Sequence, residues 1–323
     1  MCLMGSKNEW GQLRKVIVGH AEGARVPEMD RSLRLINYAD RDDVSDVPCG
    51  LYPQQVIDEA NEDLELLVDL FVQLGIAVGR PHYEPTPYYN YCPRDLVFVH
   101  GDKTYATPSP LKARRFNFGS ISHHFNQLIP ITPSYSMSLY DDHCVGNKDI
   151  LALTEHYPAF DAANIIRAND DILYLVSNSG NKAGAQKLQS LLPDAKVHLL
   201  EGVYSYMHID TTVAFLREGL LLANPERITD RDLLPGPFRN WDIIWCPEPV
   251  DIGYYPGYNH ASEWINMNLF SINPNLVVLE EHQEPTRKIL EGHGIECAML
   301  PMRQSRTLSG CFHCVTLDLE RDD

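Results

Sequence analysis

The order strand, amphipathic helix, strand recurs three times along the chain, and this recurrence restricts the fold more than any other feature. In the first copy, apolar side chains repeat at helical spacing over 53–74, and Gly75 ends the predicted helix. The other two copies predict helices over 182–192 and 286–291. Because the copies share little sequence identity, they predict a mixed α/β fold with many short strands and a few surface helices, but no strand order.

Short runs of β-branched and apolar residues, separated by Gly, Pro, Asn and Asp, predict the strands. The predicted strands are 16–18, 76–78, 96–99, 172–176, 197–200, 213–216, 220–222, 243–245, 268–272, 276–279, 297–300 and 315–319. No low-complexity linker divides the chain, so we expect a single catalytic domain over 1–323. A loop rich in Pro and Tyr, 81–93, either rims a pocket or packs on the surface.

The composition argues against several classes of protein. A net charge of −17, from 44 acidic and 27 basic residues, argues against a nucleic-acid partner, because clustered Lys and Arg carry affinity for phosphates. The chain has no run of roughly 18 apolar residues, which argues against a membrane span. Residues 1–10 lack the pattern of a signal peptide, so we expect a cytoplasmic protein.

The eight cysteines are too sparse for a disulfide framework and are expected to be free thiols. Cys311 and Cys314 form a CxxC pair, but no second pair or spaced histidines completes a tetrahedral site. The sequence therefore predicts neither a metal nor a cofactor. Cys314 is either a small core residue or a nucleophile, and the second role requires a base, because a free thiol has a pKa of about 8.5.

Candidate partners for Cys314 occur at three places in the chain. His208 and Asp210 alternate, so in an extended segment both side chains would lie on the same face. Asp95 and Asp161 each begin a strand-like apolar segment. Taken singly, each of these residues also fits a turn, a cap or a hydrogen-bonded structural role. A carboxylate beside a buried strand nevertheless requires a partner.

Five motifs occur in an order that resembles the amidinotransferase family, of the glycine and inosamine-phosphate amidinotransferase type. The motifs are PRDLVFV (93–99), FDAANIIRA (160–168), HIDTT (208–212) with NPER (224–227), ASEWINMN (261–268) and SGCFHC (309–314). The family is similar to the arginine deiminases, and the resemblance implies their pentein fold, a five-bladed α/β propeller of ββαβ units with pseudo-fivefold symmetry. The resemblance extends from about residue 8 to residue 319.

The resemblance also implies a role for each motif residue. Cys314 matches the family's nucleophile, His208 its acid and base, and Asp161 the carboxylate that orients the histidine. Asp95 and Asp210 match the pair that binds the guanidinium group.

Three further residues match substrate-binding positions of the family. Arg227 matches the arginine that holds the donor's carboxylate, Ser262 matches a substrate-contacting serine, and Met207 lies next to His208.

The implied reaction is a ping-pong transfer of the amidino group of L-arginine to a small amine, with release of L-ornithine and a covalent amidino-cysteine intermediate. The predicted partners are these two small molecules, with a homodimer left open. One alternative is a hydrolase of the arginine deiminase type that gives citrulline and ammonia. The other is a noncatalytic arginine-binding or interaction protein.

The SGCFHC motif departs from the family pattern at two positions. Cys311 stands where the family has glycine, and Val315 stands where an aromatic residue is common. We hypothesise that Cys311 and Cys314 form a reversible protective disulfide. Strand alternation predicts that His313 points away from Cys314 and supports the site. The basic residues at 112–115 either bind an anionic group or form a solvated turn.

Overall fold

A repeated sheet architecture organises the chain. The computed structural model describes residues 5–83, 88–258 and 261–322, and in these ranges the chain forms five three-stranded sheets and one two-stranded sheet. The strands of the three-stranded sheets are β1 (Leu13–Val18), β4 (Ala77–Gly79), β5 (Val97–His100), β6 (Lys103–Ala106), β7 (Ile129–Pro130), β8 (Ile165–Ala168), β9 (Asp171–Leu175), β10 (Lys196–Leu200), β11 (Val213–Arg217), β12 (Leu220–Ala223), β13 (Asp242–Trp245), β14 (Phe270–Asn273), β15 (Leu276–Glu280), β16 (Glu296–Leu300) and β17 (Thr316–Arg321). The two-stranded sheet pairs β2 (Arg25–Val26) with β3 (Gly50–Leu51).

Each three-stranded sheet follows the same topology. Two strands pair antiparallel, and the third lies parallel to the middle strand after a crossover, as in β8–β9–β10. The sheets β5–β7, β11–β13 and β14–β16 repeat this order. In the remaining sheet the last strand, β17, pairs antiparallel with β1, and β1 pairs parallel with β4. The carboxyl end of the chain therefore completes the first blade of a five-bladed α/β propeller, which confirms the fold implied by the resemblance.

Helices cover the crossovers of three blades. The α-helices are α1 (Arg31–Asn37), α2 (Gln54–Gln73), α3 (Lys182–Leu191), α4 (Glu284–Gly292) and α5 (Ser305–Leu308). Helix α2 buries Val56, Ala60, Leu64, Leu67 and Phe71, the apolar side chains that recur at helical spacing. The crossovers of the other two blades, residues 107–128 and 224–241, lie wholly in the described chain and contain 3₁₀ segments in place of an α-helix.

The predicted helices and most predicted strands are present within a few residues. Two local predictions were wrong. His208 and Asp210 do not lie in an extended segment, because residues Ile209–Thr211 form a 3₁₀ turn. Strand alternation does not apply at His313 and Cys314, since Val315 donates its backbone N–H to the Cys311 carbonyl at 3.0 Å and β17 begins only at Thr316.

Short turns precede the first strand of each blade, and these turns carry the motifs. The 3₁₀ segments Pro93–Asp95, Ala162–Asn164, Ile209–Thr211 and Ile265–Met267 lead into β5, β8, β11 and β14, and the 311–315 turn leads into β17. Because the five blades repeat one topology, these turns meet at one end of the propeller. The helices of the described ranges include none that is long and apolar enough to cross a membrane.

Candidate active site

A cavity lies where the five pre-strand turns meet. The predicted site residues that line it are Asp95, Asp161, Met207, His208, Asp210, Ser262 and Cys314. Its aromatic wall consists of Tyr88, Tyr89, Tyr204 and Tyr206. Tyr88 and Tyr89 come from the predicted 81–93 loop, of which residues 84–87 lie outside the described residues. The loop therefore does contribute to the rim of a pocket.

The thiol of Cys314 is buried and contacts polar groups on two sides. Its Sγ–H donates to Asp210 Oδ2 at 2.9 Å, and Asn268 Nδ2 donates to the same Sγ at 3.1 Å. Bonding to the Cys92 thiol, burial and the charge of Asp210 raise the pKa of Cys314 well above its usual value, while His208 acts in the opposite direction. The side chain of Cys314 is therefore a thiol at neutral pH.

Three cysteines lie close together around Gly310. Cys92, Cys311 and Cys314 are all buried, and each of the seven described cysteines is a free thiol. Gly310 lies against both Cys314 and Cys92. A Cβ at this position would come within 2.7 Å of Cys314 Cβ and 2.8 Å of Cys92 Sγ. The structure thus brings Cys92, which sequence reasoning did not consider, against the candidate nucleophile.

His208 lies between two carboxylates. Its Nε2 is 3.2 Å from Asp161 Oδ2, and its Nδ1 is 3.7 Å from Asp95 Oδ1. Burial lowers the pKa of His208, but the charges of Asp95 and Asp161 and the bond to Asp161 outweigh burial and raise this pKa well above its usual value. The imidazole is therefore protonated at neutral pH and is a proton donor in the resting site.

Asp210 contacts both Cys314 and its neighbour His313. Asp210 Oδ2 is 3.2 Å from His313 Nδ1, and His313 Nε2 is 3.8 Å from Glu9 Oε2. Burial opposes ionisation of Asp210, but its bonds to His313 and the charges of His313 and His208 lower its pKa to about 2. His313 and Cys314 thus contact the same carboxylate, but of the two only Cys314 lines the cavity, and His313 supports the site as predicted. The two residues lie in a turn, where strand alternation does not apply.

Asp95 has a different partner, the guanidinium of Arg114. Arg114 Nη2 binds Asp95 Oδ2 at 2.8 Å, and the Arg114 guanidinium lies 4.7 Å from the ring centre of Tyr88 and 4.9 Å from that of Tyr89. Burial raises the pKa of Asp95 in spite of this partner. Asp95 Oδ1 is buried and accepts no hydrogen bond from the described residues. Of the basic residues at 112–115, Arg114 is thus buried in the site, whereas Lys112 and Arg115 are exposed.

Arg227 lies behind the cavity wall. Its guanidinium donates to the Thr211 carbonyl at 2.8 Å and to Ser262 Oγ at 3.1 Å, and it lies 3.5 Å from the ring centre of Tyr204. Ser262 and Met207 line the cavity themselves. The structure therefore brings together all eight residues that the sequence singled out, but it covers Arg227 with an aromatic ring.

Sequence reasoning missed Asn268 and Cys92 as site residues and left Arg114 open between an anion-binding role and a solvated turn. Asn268 stands at the end of the ASEWINMN motif, which was the one available signal for it. Amide and guanidinium groups carry no acid–base signature, and Cys92 lies 222 residues before Cys314 in the sequence. In residues 5–83, 88–258 and 261–322, no group of three or more His, Cys, Asp or Glu side chains is arranged to hold a metal ion.

Comparison with known proteins identifies the family. No protein-family model matches the chain. The sequence is 39% identical to inosamine-phosphate amidinotransferase 1 of Streptomyces glaucescens, and the alignment covers 99% of this chain and 97% of that protein. The chain belongs to the amidinotransferase family. It is 32% identical to an L-arginine:L-lysine amidinotransferase of Pseudomonas savastanoi pv. phaseolicola, over 98% of this chain and 94% of that protein.

A solved structure agrees with this assignment. The structure of the inosamine-phosphate amidinotransferase from Streptomyces griseus superposes with a TM-score of 0.92 at 36% identity, over 100% of this chain and 98% of that one. The pentein fold is therefore shared over the whole amidinotransferase chain. The protein is accordingly a transferase, and neither the hydrolase nor the noncatalytic alternative is supported.

Proposed function

We propose that this amidinotransferase moves the amidino group of L-arginine to a small amine acceptor and releases L-ornithine. The convergence of Cys314, His208 and three buried carboxylates on one cavity carries the proposal. The name of the L-arginine:L-lysine relative supports L-arginine as the donor.

We assign the guanidinium of the donor to the space between Asp95 and Asp210. Asp95 Oδ1 is a buried carboxylate oxygen that accepts no hydrogen bond from the described chain, and Asp210 is ionised beside the sulfur. A bound guanidinium would satisfy the first and neutralise the second. Because the charge of Asp210 raises the pKa of Cys314, its neutralisation would favour the thiolate when the donor is in place.

The chemical steps follow from the protonation states. Once its proton has left to solvent, the Cys314 thiolate attacks the guanidinium carbon, and protonated His208 donates to the departing nitrogen, so that the C–N bond breaks and ornithine leaves. Neutral His208 then accepts a proton from the acceptor amine. The amine attacks the amidino carbon, the C–S bond breaks, and the thiolate of Cys314 returns. Asp161 holds His208 in position through its contact with Nε2.

The role of Arg227 requires a movement of Tyr204. The Tyr204 ring covers the guanidinium of Arg227, so this ring must turn aside before Arg227 can bind the donor's carboxylate. We propose that Ser262, which lines the cavity and contacts Arg227, and Met207, which also lines it, complete the donor site.

The acceptor that we propose first is an inosamine phosphate, which is named in the relatives at 39%, 38% and 36% identity. The catalytic cavity measures about 70 Å³, and an adjoining cavity of about 330 Å³ shares Tyr204 and Tyr206 with it. The adjoining cavity is lined by Asn147 and Lys148, side chains suited to hydroxyl and phosphate groups. We therefore assign the acceptor's ring and phosphate to this side.

The test is a product analysis with guanidino-labelled L-arginine and single acceptors: inosamine phosphate, L-lysine and glycine. We expect L-ornithine together with a labelled guanidino product from inosamine phosphate, and a labelled amidino group on Cys314 when the acceptor is left out. Amine-independent citrulline would overturn the transfer reaction. If neither ornithine nor an adduct is formed, the role of Cys314 is overturned. Cys314→Ala is the control for this role.

The acceptor assignment has its own control. Lys148→Ala should raise the KM for inosamine phosphate several-fold and leave the rate of Cys314 labelling by L-arginine unchanged. If KM for inosamine phosphate does not change, the phosphate does not bind at Lys148. A preference for lysine or glycine over inosamine phosphate would replace the acceptor and keep the donor.

A further inference from the structure

The pre-strand turns of the propeller contribute reactive side chains blade by blade, and Asn268 is the contribution of the β14–β16 blade. Asp95, Asn268 and Cys314 each stand two residues before the first strand of their blade. Asn268 is buried, and its side chain contacts Cys314. We propose that Asn268 is a catalytic residue whose amide N–H group holds the Cys314 sulfur in place and stabilises its negative charge. The proposal rests on the role of Cys314 as the nucleophile.

The orientation of the Asn268 amide follows from its hydrogen bonds. Asn268 Oδ1 accepts the backbone N–H of Cys314 at 3.1 Å and that of Cys311 at 3.2 Å. Two N–H donors require the oxygen on this side of the amide, because the NH₂ group cannot accept. Nδ2 must therefore face the sulfur, at 3.1 Å. One side chain thus fixes both the backbone of the nucleophile turn and the direction of a donor to Sγ.

This donor differs from Asp210 and Cys92, the two contacts that favour the protonated thiol. Asp210 accepts the proton of the thiol, and its charge disfavours the thiolate. The Asn268 N–H group can only donate, so its bond strengthens as negative charge develops on sulfur. Because its oxygen is anchored by two backbone groups, the amide is already oriented before the reaction and does not have to reorganise. The same bond remains available when the thiolate leaves the amidino carbon in the second half-reaction.

Asn268→Asp separates the two functions of this side chain. The aspartate is isosteric, and one of its oxygens can still accept the backbone N–H groups of Cys311 and Cys314, but the other presents an acceptor to Sγ. We expect the protein to fold, the pH midpoint for alkylation of Cys314 by iodoacetamide to rise, and amidino labelling of Cys314 by L-arginine to slow by about 10²-fold. Mass spectrometry of the Cys314 peptide measures both reactions.

Asn266→Asp is the matched control. Asn266 lies two residues earlier in the same turn, is equally buried, and donates through Nδ2 to another thiol, Cys246 Sγ, at 3.2 Å. We expect it to lower the stability without moving the pH midpoint of Cys314. An unchanged midpoint and an unchanged labelling rate in Asn268→Asp would overturn the proposal. If a protonated aspartate donated to the sulfur, Asn268→Leu, which cannot donate, would still shift the midpoint in a folded protein, as checked by circular dichroism.

The two proposals fail in distinguishable ways. If the parent protein forms no amidino adduct on Cys314, the proposed function fails. If the parent forms the adduct and both Asn268 variants form it as fast, with unchanged alkylation, only the role of Asn268 fails.

Discussion

The two carboxylates expected to bind the guanidinium lie in contrasting surroundings. Asp210, in the turn before β11, contacts His313 and the thiol of Cys314, and its pKa is lowered to about 2. Asp95, in the turn before β5, is bound by Arg114, and burial raises its pKa. Both side chains are buried. The surroundings therefore set the pKa of each aspartate: burial raises both, and at Asp210 the bonds to His313 and Cys314 and the nearby histidine charges outweigh it.

The contrast suggests a division of labour within the site. Asp210 is an ionised group next to the sulfur and controls the charge of the nucleophile. Asp95 is held by Arg114 at one oxygen and faces His208 with the other, so it controls the charge of the imidazole. Four predictions test this division.

The largest effect is expected for Asp210→Asn. Loss of the charge that binds the guanidinium should lower the rate of amidino transfer by about 10³-fold. The same change removes a charge that raises the pKa of Cys314, so alkylation of Cys314 at pH 7.5 should become faster. Asp95→Asn should slow alkylation, because His208 then loses a charge that raises its pKa and is less able to favour the thiolate. If both variants changed the alkylation rate in the same direction, the two aspartates would not control different groups.

Asp95→Asn should also destabilise the protein more clearly than Asp210→Asn. It leaves the buried Arg114 guanidinium without its carboxylate, and breaking such a pair costs about 3 kcal/mol of unfolding free energy. Urea unfolding measures this difference. The double variant Asp95→Asn, Arg114→Met removes both charges and should recover much of the stability without recovering activity. If the double variant is as unstable as Asp95→Asn, the charge of Arg114 is not the cause.

The acid dependence of stability should also depend on Asp210. The folded-state pKa of Asp210 is about 2, below that of an unfolded aspartate, so Asp210 contributes stability above pH 4 that is lost as pH falls towards 2. The advantage of the parent over Asp210→Asn in unfolding free energy should therefore shrink by about 1 kcal/mol between pH 5 and pH 3.

The smallest effect concerns the thiols on the two sides of Cys314. Cys92 belongs to the Asp95 side, since its carbonyl accepts from Arg114, and Cys311 belongs to the nucleophile turn. Hydrogen peroxide converts two thiols to a disulfide and two molecules of water. Because Cys92 bonds to Cys314, we expect peroxide to join these two thiols. After peroxide treatment, dithiothreitol should therefore restore a few-fold less activity in Cys92→Ser than in the parent, with Cys311→Ser as the control. The opposite result would support the disulfide between Cys311 and Cys314 that the sequence suggested.

Asp95 and His208 also show which features of the site are predictable from the sequence. The demand that a buried Asp95 be paired was predictable, because a carboxylate beside a strand is costly alone. Its partner Arg114 was not, since the basic turn could equally be solvated. The position of His208 in the site was implied by its motif, but an extended segment was predicted after it, where Ile209–Thr211 form a 3₁₀ turn.

The sequence by itself determined the helices, through their apolar spacing, and the candidate site residues, through five short motifs. The tertiary structure alone decided which groups surround those residues. Cys92 against Cys314, Arg114 on Asp95 and Asn268 beneath the nucleophile turn are contacts between different blades or distant segments. Local patterns record the burial and backbone preferences of neighbouring residues, whereas charge, proton affinity and donor direction at the sulfur depend on groups that only the closed propeller brings together.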